Sequence, residues 1–307
     1  MMKLSSYFRP KSCWTLAALT LGSTLLLSGC EDGELETLIE SVKEATTEQP
    51  QFCETKAAPF AHALCQVSQN ELLEADSALS LHLFWKSGQW QAGQKDGNAR
   101  LADQDQSIQP LYKFNNLLAD LPKSSELKFA TNAGMYNSEF GPIGYTVLQG
   151  TQILSLNLNQ GAGNFHMMPN GVLWWDENNR VSITESHKLN EMLQSGVAKP
   201  WYATQSGPML VIDGKIHPKF NPTSTSQKTR NGVGICEDGN LKFVTSNEPV
   251  NFYQFASLFK EDLNCNNALF LDGGIASALY APDISHQDNK NMGVMVGLIE
   301  DHSGDEQ

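Results

Sequence analysis

The sequence predicts an α+β fold, a single domain built on a mixed, largely antiparallel β-sheet with a few flanking helices. Short apolar segments of strand length recur along the chain, and Asp-Gly turns separate several of them, as in hairpins. A regular alternation of strands and helices is absent, which argues against a parallel sheet. Hydrophobic residues make up 40% of the 307 positions, which is enough for a substantial core.

The predicted strands are distributed over most of the domain. They cover Leu79 to Trp85, Leu127 to Thr131, Ile143 to Leu148, Gln152 to Leu158, Gly171 to Trp175, Val181 to Thr184, Pro208 to Ile212, Gly232 to Cys236, Ala268 to Leu271 and Gly293 to Ile299. Asp213-Gly214 directly follows the segment that ends at Ile212, and Asp238-Gly239 closely follows the segment that ends at Cys236. Both dipeptides are typical of tight turns between antiparallel strands.

Two predicted helices carry apolar residues at helical spacing. The first runs from Leu111 to Leu121 and places its leucines and a phenylalanine on one stripe. The second follows Asn251, a residue type that caps helices, and runs through Lys260. Its phenylalanines recur on one face, so we expect that face to be buried.

The N-terminal 29 residues have the layout of a secretory signal peptide. Basic residues come first, and the apolar run from Cys13 to Leu27 is too short to span a membrane. The run ends in Leu27-Ser28-Gly29-Cys30, which resembles the lipobox of bacterial lipoproteins, in which the cysteine carries acyl chains. We therefore expect a lipidated Cys30 and a protein anchored in the cell envelope, facing the periplasm. A plain secreted protein is the alternative.

Acidic residues dominate the segment that follows the lipobox. Residues 30–50 hold seven acidic side chains and one basic side chain, which predicts a solvated linker ahead of a domain at 51–300 and a polar tail at 301–307. Glu31 follows Cys30 in place of the aspartate associated with inner-membrane retention, so the outer membrane is favoured. The net charge of −13, without a concentrated basic surface, argues against nucleic-acid binding.

Four cysteines remain in the predicted domain, and an even number in an oxidising compartment indicates disulfides. Three pairings of Cys53, Cys65, Cys236 and Cys265 are open. We favour Cys53 with Cys65 and Cys236 with Cys265, because each pair is nearest in sequence. Zinc is the rival interpretation, but the chain has no Cys-x-x-Cys motif and no nearby histidine pair.

Polar, glycine-containing segments interrupt the apolar runs, and the most informative is Leu269-Phe270-Leu271-Asp272-Gly273-Gly274. Here a carboxylate follows a fully apolar strand. An ionised group in that position is costly unless it is paired or in use, and the glycines allow a ligand to approach the backbone closely. Asp272 therefore suits a general base, a nucleophile or a metal ligand, with an ordinary Asp-Gly turn as the alternative.

Two further segments carry groups suited to sugar or phosphate oxygens. Asn132 follows a predicted strand, and its amide both donates and accepts hydrogen bonds. Lys228 and Arg230 lie among hydroxyl side chains, and Arg presents a planar fork that matches phosphate oxygens. A turn at Asn132 and an exposed basic loop at Lys228 are the alternatives.

Two weaker candidates complete the set. The segment Gln205-Ser206-Gly207-Pro208 precedes a predicted strand and lacks the pattern of a nucleophile elbow, so a turn is the simpler interpretation. His166 lies in a loop between Gly161 and Gly171 and is able to shuttle a proton near neutral pH, although a structural loop histidine is the more common case.

Five segments together resemble the phosphodiester glycosidase family, and in particular a bacterial branch of envelope proteins within it. The segments are Asn132-Ala133-Gly134-Met135-Tyr136, Asn164-Phe165 with Pro169-Asn170-Gly171-Val172, Gln205-Ser206-Gly207-Pro208-Met209-Leu210, Arg230-Asn231-Gly232-Val233-Gly234 and Leu271-Asp272-Gly273-Gly274. The resemblance extends over roughly residues 80–300. It implies a hydrolase that cleaves a sugar 1-phosphodiester into the sugar and a phosphomonoester.

The resemblance, together with the residue types, gives a candidate site. Catalytic roles are expected for Asp272, Arg230 and Asn132. Substrate contacts are expected from Lys228, Ser206, Gly207, Gly273, Gly274, Tyr136 and His166. The residues demand no cofactor, and a divalent cation at Asp272 is an open alternative.

The chain departs from the usual family pattern at two places. It has Asn-Ala-Gly-Met-Tyr where an Asn-Gly-Gly-Phe-Phe type is usual, and it has Ile275 and Ala276 after the Asp-Gly-Gly motif where Gly and Ser are usual. The extra bulk would narrow the site near Asp272. A non-catalytic lipoprotein that binds phosphorylated or other envelope glycans is therefore the alternative function.

Overall fold

The computed structural model describes residues 51–89, 109–273, 277–282, 284 and 288–303, all within a compact unit that runs from Gln51 to Gln307. The predicted signal peptide, Cys30 and the acidic linker lie outside the described residues. Gly274, Ile275 and Ala276 also lie outside them. Among the described residues, no helix combines the length and the apolar character needed to cross a membrane.

Three antiparallel sheets form the domain. The first contains Cys53–Lys56 (β1), His62–Ser68 (β2), Met209–Ile212 (β10), Lys215–Ile216 (β11), Asn231–Cys236 (β12), Asn240–Ser246 (β13) and Cys265–Leu271 (β14), in the order β1-β2-β13-β12-β14-β10-β11. The second contains Leu79–Phe84 (β3), Ser125–Asn132 (β4), Leu279–Tyr280 (β15) and Met295–Asp301 (β16), in the order β15-β4-β16-β3. The third contains Thr146–Leu148 (β5), Thr151–Leu154 (β6), Gly171–Trp175 (β7), Val181–Glu185 (β8) and Tyr202–Ser206 (β9), in the order β6-β5-β9-β7-β8.

The helices are short and flank these sheets. They are Gln69–Leu73 (α1), Phe114–Asp120 (α2), Ser186–Gln194 (α3) and Phe252–Ser257 (α4), and α4 continues into a π-helical turn at Leu258–Asp262. The predicted α+β class with antiparallel strands is therefore confirmed. The single predicted sheet is instead divided into three.

Several local predictions are confirmed and others are corrected. β7 has the predicted bounds, and Asn251 caps α4 by accepting a hydrogen bond from the Gln254 backbone at 2.9 Å. The helix predicted from Leu111 begins only at Phe114, because Tyr112 has a φ of 62° that no α-helix accommodates. The predicted strand from Gln152 ends at Leu154.

Both predicted disulfides are present. Cys53 pairs with Cys65, which is its partner across β1 and β2, and Cys236 pairs with Cys265 across β12 and β14. The pairing by sequence proximity succeeds at the first bridge because those strands are consecutive. At the second bridge it succeeds because β14 returns to lie beside β12.

The main hydrophobic core lies where the inner faces of the three sheets meet. Phe129 on β4 contacts Phe243 on β13 with ring centroids 5.3 Å apart, and the indole of Trp175 on β7 donates to the carbonyl of Leu81 on β3 at 2.9 Å. A second core forms between the first sheet and α4, around Phe255. This packing fixes the strand ends that carry the candidate site.

Candidate functional site

Strand ends from all three sheets meet at one junction. β4 ends at Asn132, and the segment that follows contacts both other sheets: the Asp272 backbone N–H donates to Ala133 O at 2.9 Å, and the Gly134 N–H donates to the Thr204 hydroxyl at 2.9 Å. Asp272 directly follows β14, and Thr204 lies in β9. The buried apolar runs therefore deliver polar residues from distant parts of the chain to the same place.

A pair of fully buried amides forms the centre of this junction. The Nδ2 of Asn231 donates to Thr131 Oγ1 at 2.8 Å, to Asn132 Oδ1 at 2.9 Å and to Ala278 O at 3.1 Å. The Oδ1 of Asn132 also accepts from the Ala278 backbone N–H at 2.8 Å. Both side chains are 0% exposed. These contacts fix the orientation of each amide. Exchanging the nitrogen and oxygen positions of either amide would place donor against donor or acceptor against acceptor.

The same pair leaves one donor and one acceptor unused. Asn132 Nδ2 and Asn231 Oδ1 are buried, and neither has a hydrogen-bond partner among the described residues. An unpaired buried polar group costs roughly 1–3 kcal/mol, so such groups need an explanation in a native fold. One donor beside one acceptor is the set of groups that a ligand hydroxyl requires.

Asp272 lies next to the amide pair in the fold, since its neighbour Leu271 is the register partner of Asn231. Burial raises the pKa of Asp272 from 3.8 to about 7, against the opposing effect of a hydrogen bond from Tyr136. The Tyr136 hydroxyl lies within hydrogen-bond reach of that carboxylate and also of Asn291 O, at 3.0 Å. Burial, and then the nearby carboxylate, raise the pKa of Tyr136. A carboxyl group with a pKa near neutrality is suited to proton transfer.

Glycine is required beside Asp272 for steric reasons. A Cβ on Gly273 would lie 2.7 Å from the Asn231 backbone nitrogen and 3.2 Å from Arg230 Cα. Contacts this short would force the strand ends apart. The absence of a side chain at Gly273 therefore allows the backbone after Asp272 to pack closely against the start of β12. The predicted contact of Gly273 with substrate stays a prediction.

Arg230 is buried, and its guanidinium donates to one carbonyl of its own loop and to one carbonyl of the segment before α4. It is 2% exposed, its Nε donates to Val250 O at 2.8 Å, and one terminal nitrogen donates to Ser226 O at 3.1 Å. The guanidinium carbon lies 3.7 Å from the centroid of Phe252. Burial lowers the pKa of Arg230 to about 10, so the side chain is cationic at neutral pH. The contact of Arg230 with phosphate stays a prediction. A bound phosphate would have to share the guanidinium with these two carbonyls.

Lys228 and Ser206 differ sharply in exposure. Lys228 is exposed on the same loop, where its backbone pairs with Val250. Ser206, the last residue of β9, is 0% exposed, and its hydroxyl has no partner in the part of the chain that the structure describes. Gly207 packs against the 164–170 loop, because a Cβ there would lie 2.6 Å from Asn170 Cβ. The predicted turn before the strand at Met209 is confined to Gly207 and Pro208, whereas Gln205 and Ser206 form the end of β9.

His166 lies on the loop that packs against Gly207. Its Nδ1 is 2.8 Å from Asn159 O, and its ring meets Phe165 edge-on at 5.0 Å. These contacts fit a structural loop histidine, and the predicted role in substrate binding stays a prediction.

One group of possible metal ligands occurs among the described residues, and it lies away from the residues predicted for the site. Glu126, Glu300 and His302 bring their ligand atoms within 4.8 Å of one another. Lys128 pairs with both carboxylates there, at 3.0 Å and 2.5 Å. A buried ammonium already neutralises these acids, so the group forms an ion-pair network at the end of the second sheet.

Sequence reasoning did not assign a role to Asn231, although it quoted the residue within a motif. Its amide joins Thr131, Asn132 and Ala278, and it lies 99 residues from Asn132 in sequence. The available signal was an asparagine at the start of an apolar strand, where an aliphatic residue is the usual choice.

Comparisons with known proteins identify the family and support the fold. The family model of phosphodiester glycosidases matches residues 125–299. The uncharacterized protein YigE of Escherichia coli K12 is 38% identical over 162 residues, which span 52% of this chain and 61% of YigE. The catalytic domain of zebrafish N-acetylglucosamine-1-phosphodiester alpha-N-acetylglucosaminidase, auto-inhibited by its pro-peptide, superposes with a TM-score of 0.50 at 13% identity, over 82% of this chain and 84% of that domain. The zebrafish likeness supports the fold, and the extent of the family match shows that the chain belongs to the phosphodiester glycosidase family.

Proposed function

We propose that this protein is a hydrolase that cleaves the bond between the anomeric carbon of a sugar and the oxygen of a phosphodiester. The observation that carries the proposal is the junction of Asp272 with the amide pair. A carboxyl group whose pKa is about 7 lies beside a buried donor and a buried acceptor that no described residue uses. Perturbed carboxyl groups with unused polar neighbours are typical of active sites.

The ionised form of Asp272 performs the chemistry in this proposal. It either removes a proton from the attacking water or attacks the anomeric carbon itself, and both roles need a free carboxylate. In the first case the water oxygen bonds to the anomeric carbon, its proton passes to Asp272, and the carbon–oxygen bond breaks. The phosphomonoester leaves with the electron pair of that bond.

Binding falls to the other groups of the junction. Asn132 Nδ2 donates to a substrate oxygen, and Asn231 Oδ1 accepts from a sugar hydroxyl. Lys228 and Arg230 supply positive charge on the loop before β12, which favours an anionic phosphodiester. The Ser206 hydroxyl offers a further donor.

Hydrolysis of a panel of synthetic sugar 1-phosphodiesters by the purified full-length chain tests this proposal. We expect turnover by the wild type and a loss of about 10²- to 10⁴-fold in Asp272→Asn, since a general base contributes that much. Asp213→Asn is the matched control, because Asp213 is an exposed aspartate in the turn between β10 and β11. Equal turnover by wild type and Asp272→Asn would refute the assignment. Binding without any turnover would favour the glycan-binding alternative.

We also propose that Cys30 carries a lipid that anchors the protein in the cell envelope, with the outer membrane favoured. The support is the lipobox-like sequence and the short apolar run before it. Membrane fractionation of the wild type and of Cys30→Ser tests this. We expect the variant to leave the membrane fraction, and its retention there would contradict the anchor.

A further inference from the structure

Three aromatic side chains lie together, and one of them, Tyr136, interacts with Asp272. Tyr136, which reaches the carboxylate, stacks on Phe140 with ring centroids 5.5 Å apart and an interplanar angle of 28°. Phe140 meets Tyr112 edge-on, with centroids 5.0 Å apart and an angle of 83°. All three rings are half-buried, so part of each remains open to solvent. We call these three residues the aromatic platform.

Two members of the platform have unusual backbone conformations. Among the described non-glycine residues, positive φ occurs at Tyr112, Phe140, Gln149, Asn179, Asp213 and Asn264. Asn and Asp tolerate this region, and Gln149 lies in the turn between β5 and β6. Tyr112 and Phe140, each with a φ of 62°, are the bulky exceptions. Glycine would fit both positions without strain, so the chain retains the rings despite a conformational cost.

The surrounding structure holds each strained residue in place. The Met292 backbone N–H donates to Tyr112 O at 2.9 Å, and the indole of Trp85 donates to Phe140 O at 3.0 Å. The Phe140 N–H donates to Asn137 O at 3.0 Å. Contacts from three separate segments therefore fix the backbone at the two residues that carry these rings. Strained residues that are held in this way cluster at ligand sites.

We propose that the aromatic platform binds the apolar C–H face of a sugar ring. Half-buried aromatic rings suit a sugar ring, which is apolar on its face and polar at its edge. The sugar is favoured over the leaving group because of Tyr136. This residue joins the platform to Asp272, which acts at the anomeric carbon, an atom of the sugar ring. The choice of the sugar and its placement next to the reacting carbon both rest on the proposed function.

Binding and turnover are measured in parallel on Phe140→Leu and Tyr112→Leu. The probes are methyl glycopyranosides, followed by saturation-transfer NMR and calorimetry, and the methyl and benzyl phosphodiesters of the same sugar. Phe52→Leu is the matched control, because Phe52 is half-buried beside β1, at the outer edge of the first sheet. Tyr112→Phe keeps the ring. Melting temperatures confirm that each variant is folded.

We expect both leucine variants to weaken binding of the glycosides about tenfold, while Phe52→Leu and Tyr112→Phe retain it. For the phosphodiesters we expect a similar rise in KM for the methyl and benzyl compounds. Loss of sugar binding in the variants would support the platform even if no phosphodiester is turned over, in which case only the proposed function fails. No sugar binding by the wild type, unchanged binding in folded Phe140→Leu, or a loss confined to the benzyl compound would overturn the platform.

Discussion

Two buried polar side chains, Gln205 and Ser206, are neighbours at the end of β9, and they differ in how completely their hydrogen-bonding groups are used. Gln205 is satisfied on both sides of its amide: Oε1 accepts from Tyr145 N at 2.8 Å and Asn157 N at 3.0 Å, and Nε2 donates to Asn157 O at 2.7 Å and Ser186 Oγ at 3.1 Å. Ser206 Oγ, like one atom of each amide in the Asn132–Asn231 pair, has no protein partner among the described residues.

This difference separates structural groups from ligand-binding groups. A buried amide with every group paired stabilises the strands and loops around it. A buried amide with an unused donor or acceptor costs stability, and it is retained where a ligand completes the set. We therefore treat Gln205 as a structural residue of the third sheet and propose that the amide pair binds substrate. The following expectations test this contrast.

The largest effect on stability is expected at Gln205. Gln205→Ala removes the partner of two backbone N–H groups, of a carbonyl and of a buried hydroxyl. We expect a loss of about 3–5 kcal/mol in the free energy of unfolding, because each buried group left unpaired costs roughly 1–3 kcal/mol. Urea unfolding at constant pH measures it. A loss below about 1 kcal/mol, on the same scale as a surface substitution, would contradict the structural role.

The next effect concerns Asp272 and depends on pH. Its pKa in the folded protein, about 7, lies above the ordinary value of 3.8, so the folded state holds the proton more tightly than the unfolded state. The contribution of Asp272 to stability is therefore greatest below about pH 4, falls as the pH rises toward 7, and levels off above it. Asn cannot ionise, so Asp272→Asn should be more stable than the wild type by about 4 kcal/mol at pH 8 and similar to it at pH 4.

Unfolding curves of wild type and Asp272→Asn at pH 4 and pH 8 measure this difference. Asp213→Asn provides the control, for which we expect no such pH-dependent gain. A difference between wild type and Asp272→Asn that is the same at both pH values would show that burial does not perturb the carboxyl group.

A smaller effect is expected at Phe140. Its φ of 62° favours glycine over any residue with a Cβ. Phe140→Gly should therefore be more stable than Phe140→Ala by about 1 kcal/mol, although both lack the ring. Thermal unfolding of the two variants gives the comparison. If Phe140→Ala proves the more stable of the two, the backbone at this position is not strained. The phenylalanine would then carry no conformational cost.

The smallest effect on stability is expected at Ser206. Its hydroxyl has no protein partner among the described residues, so Ser206→Ala should change the free energy of unfolding by less than about 1 kcal/mol. The same variant should weaken substrate binding if the hydroxyl donates to the ligand. Urea unfolding together with KM separates the two outcomes, and a large loss of stability would place Ser206 with Gln205 as a structural residue.

The sequence predicts apolar elements better than polar ones. β7, an apolar run bounded by glycine and aspartate, has the predicted bounds, whereas β9 (Tyr202–Ser206) and β13 (Asn240–Ser246) were missed. Both contain buried polar side chains, such as Gln205 and Lys242, so a pattern of alternating hydrophobicity does not reveal them.

The same limit applies to the site. The position of Asp272 after a strand was predictable, because a carboxylate after a fully apolar run is locally unusual. The contact of Asn231 with Asn132 was not predictable, because only the meeting of two sheets creates it. The hydrogen bond from Arg230 to Val250 O was hidden because Val250 lies beyond two further strands in sequence. Tyr112 and Phe140 carry no sequence signal for positive φ.

The pH dependence of kcat/KM on a sugar 1-phosphodiester tests the central claim most directly. If ionised Asp272 removes a proton or attacks the anomeric carbon, kcat/KM should rise about tenfold per pH unit below an apparent pKa near 7 and reach a plateau above it. The residual activity of Asp272→Asn should lack this rise. A rate that is flat between pH 5 and pH 8, or the same inflection in Asp272→Asn, would show that another group carries the reaction.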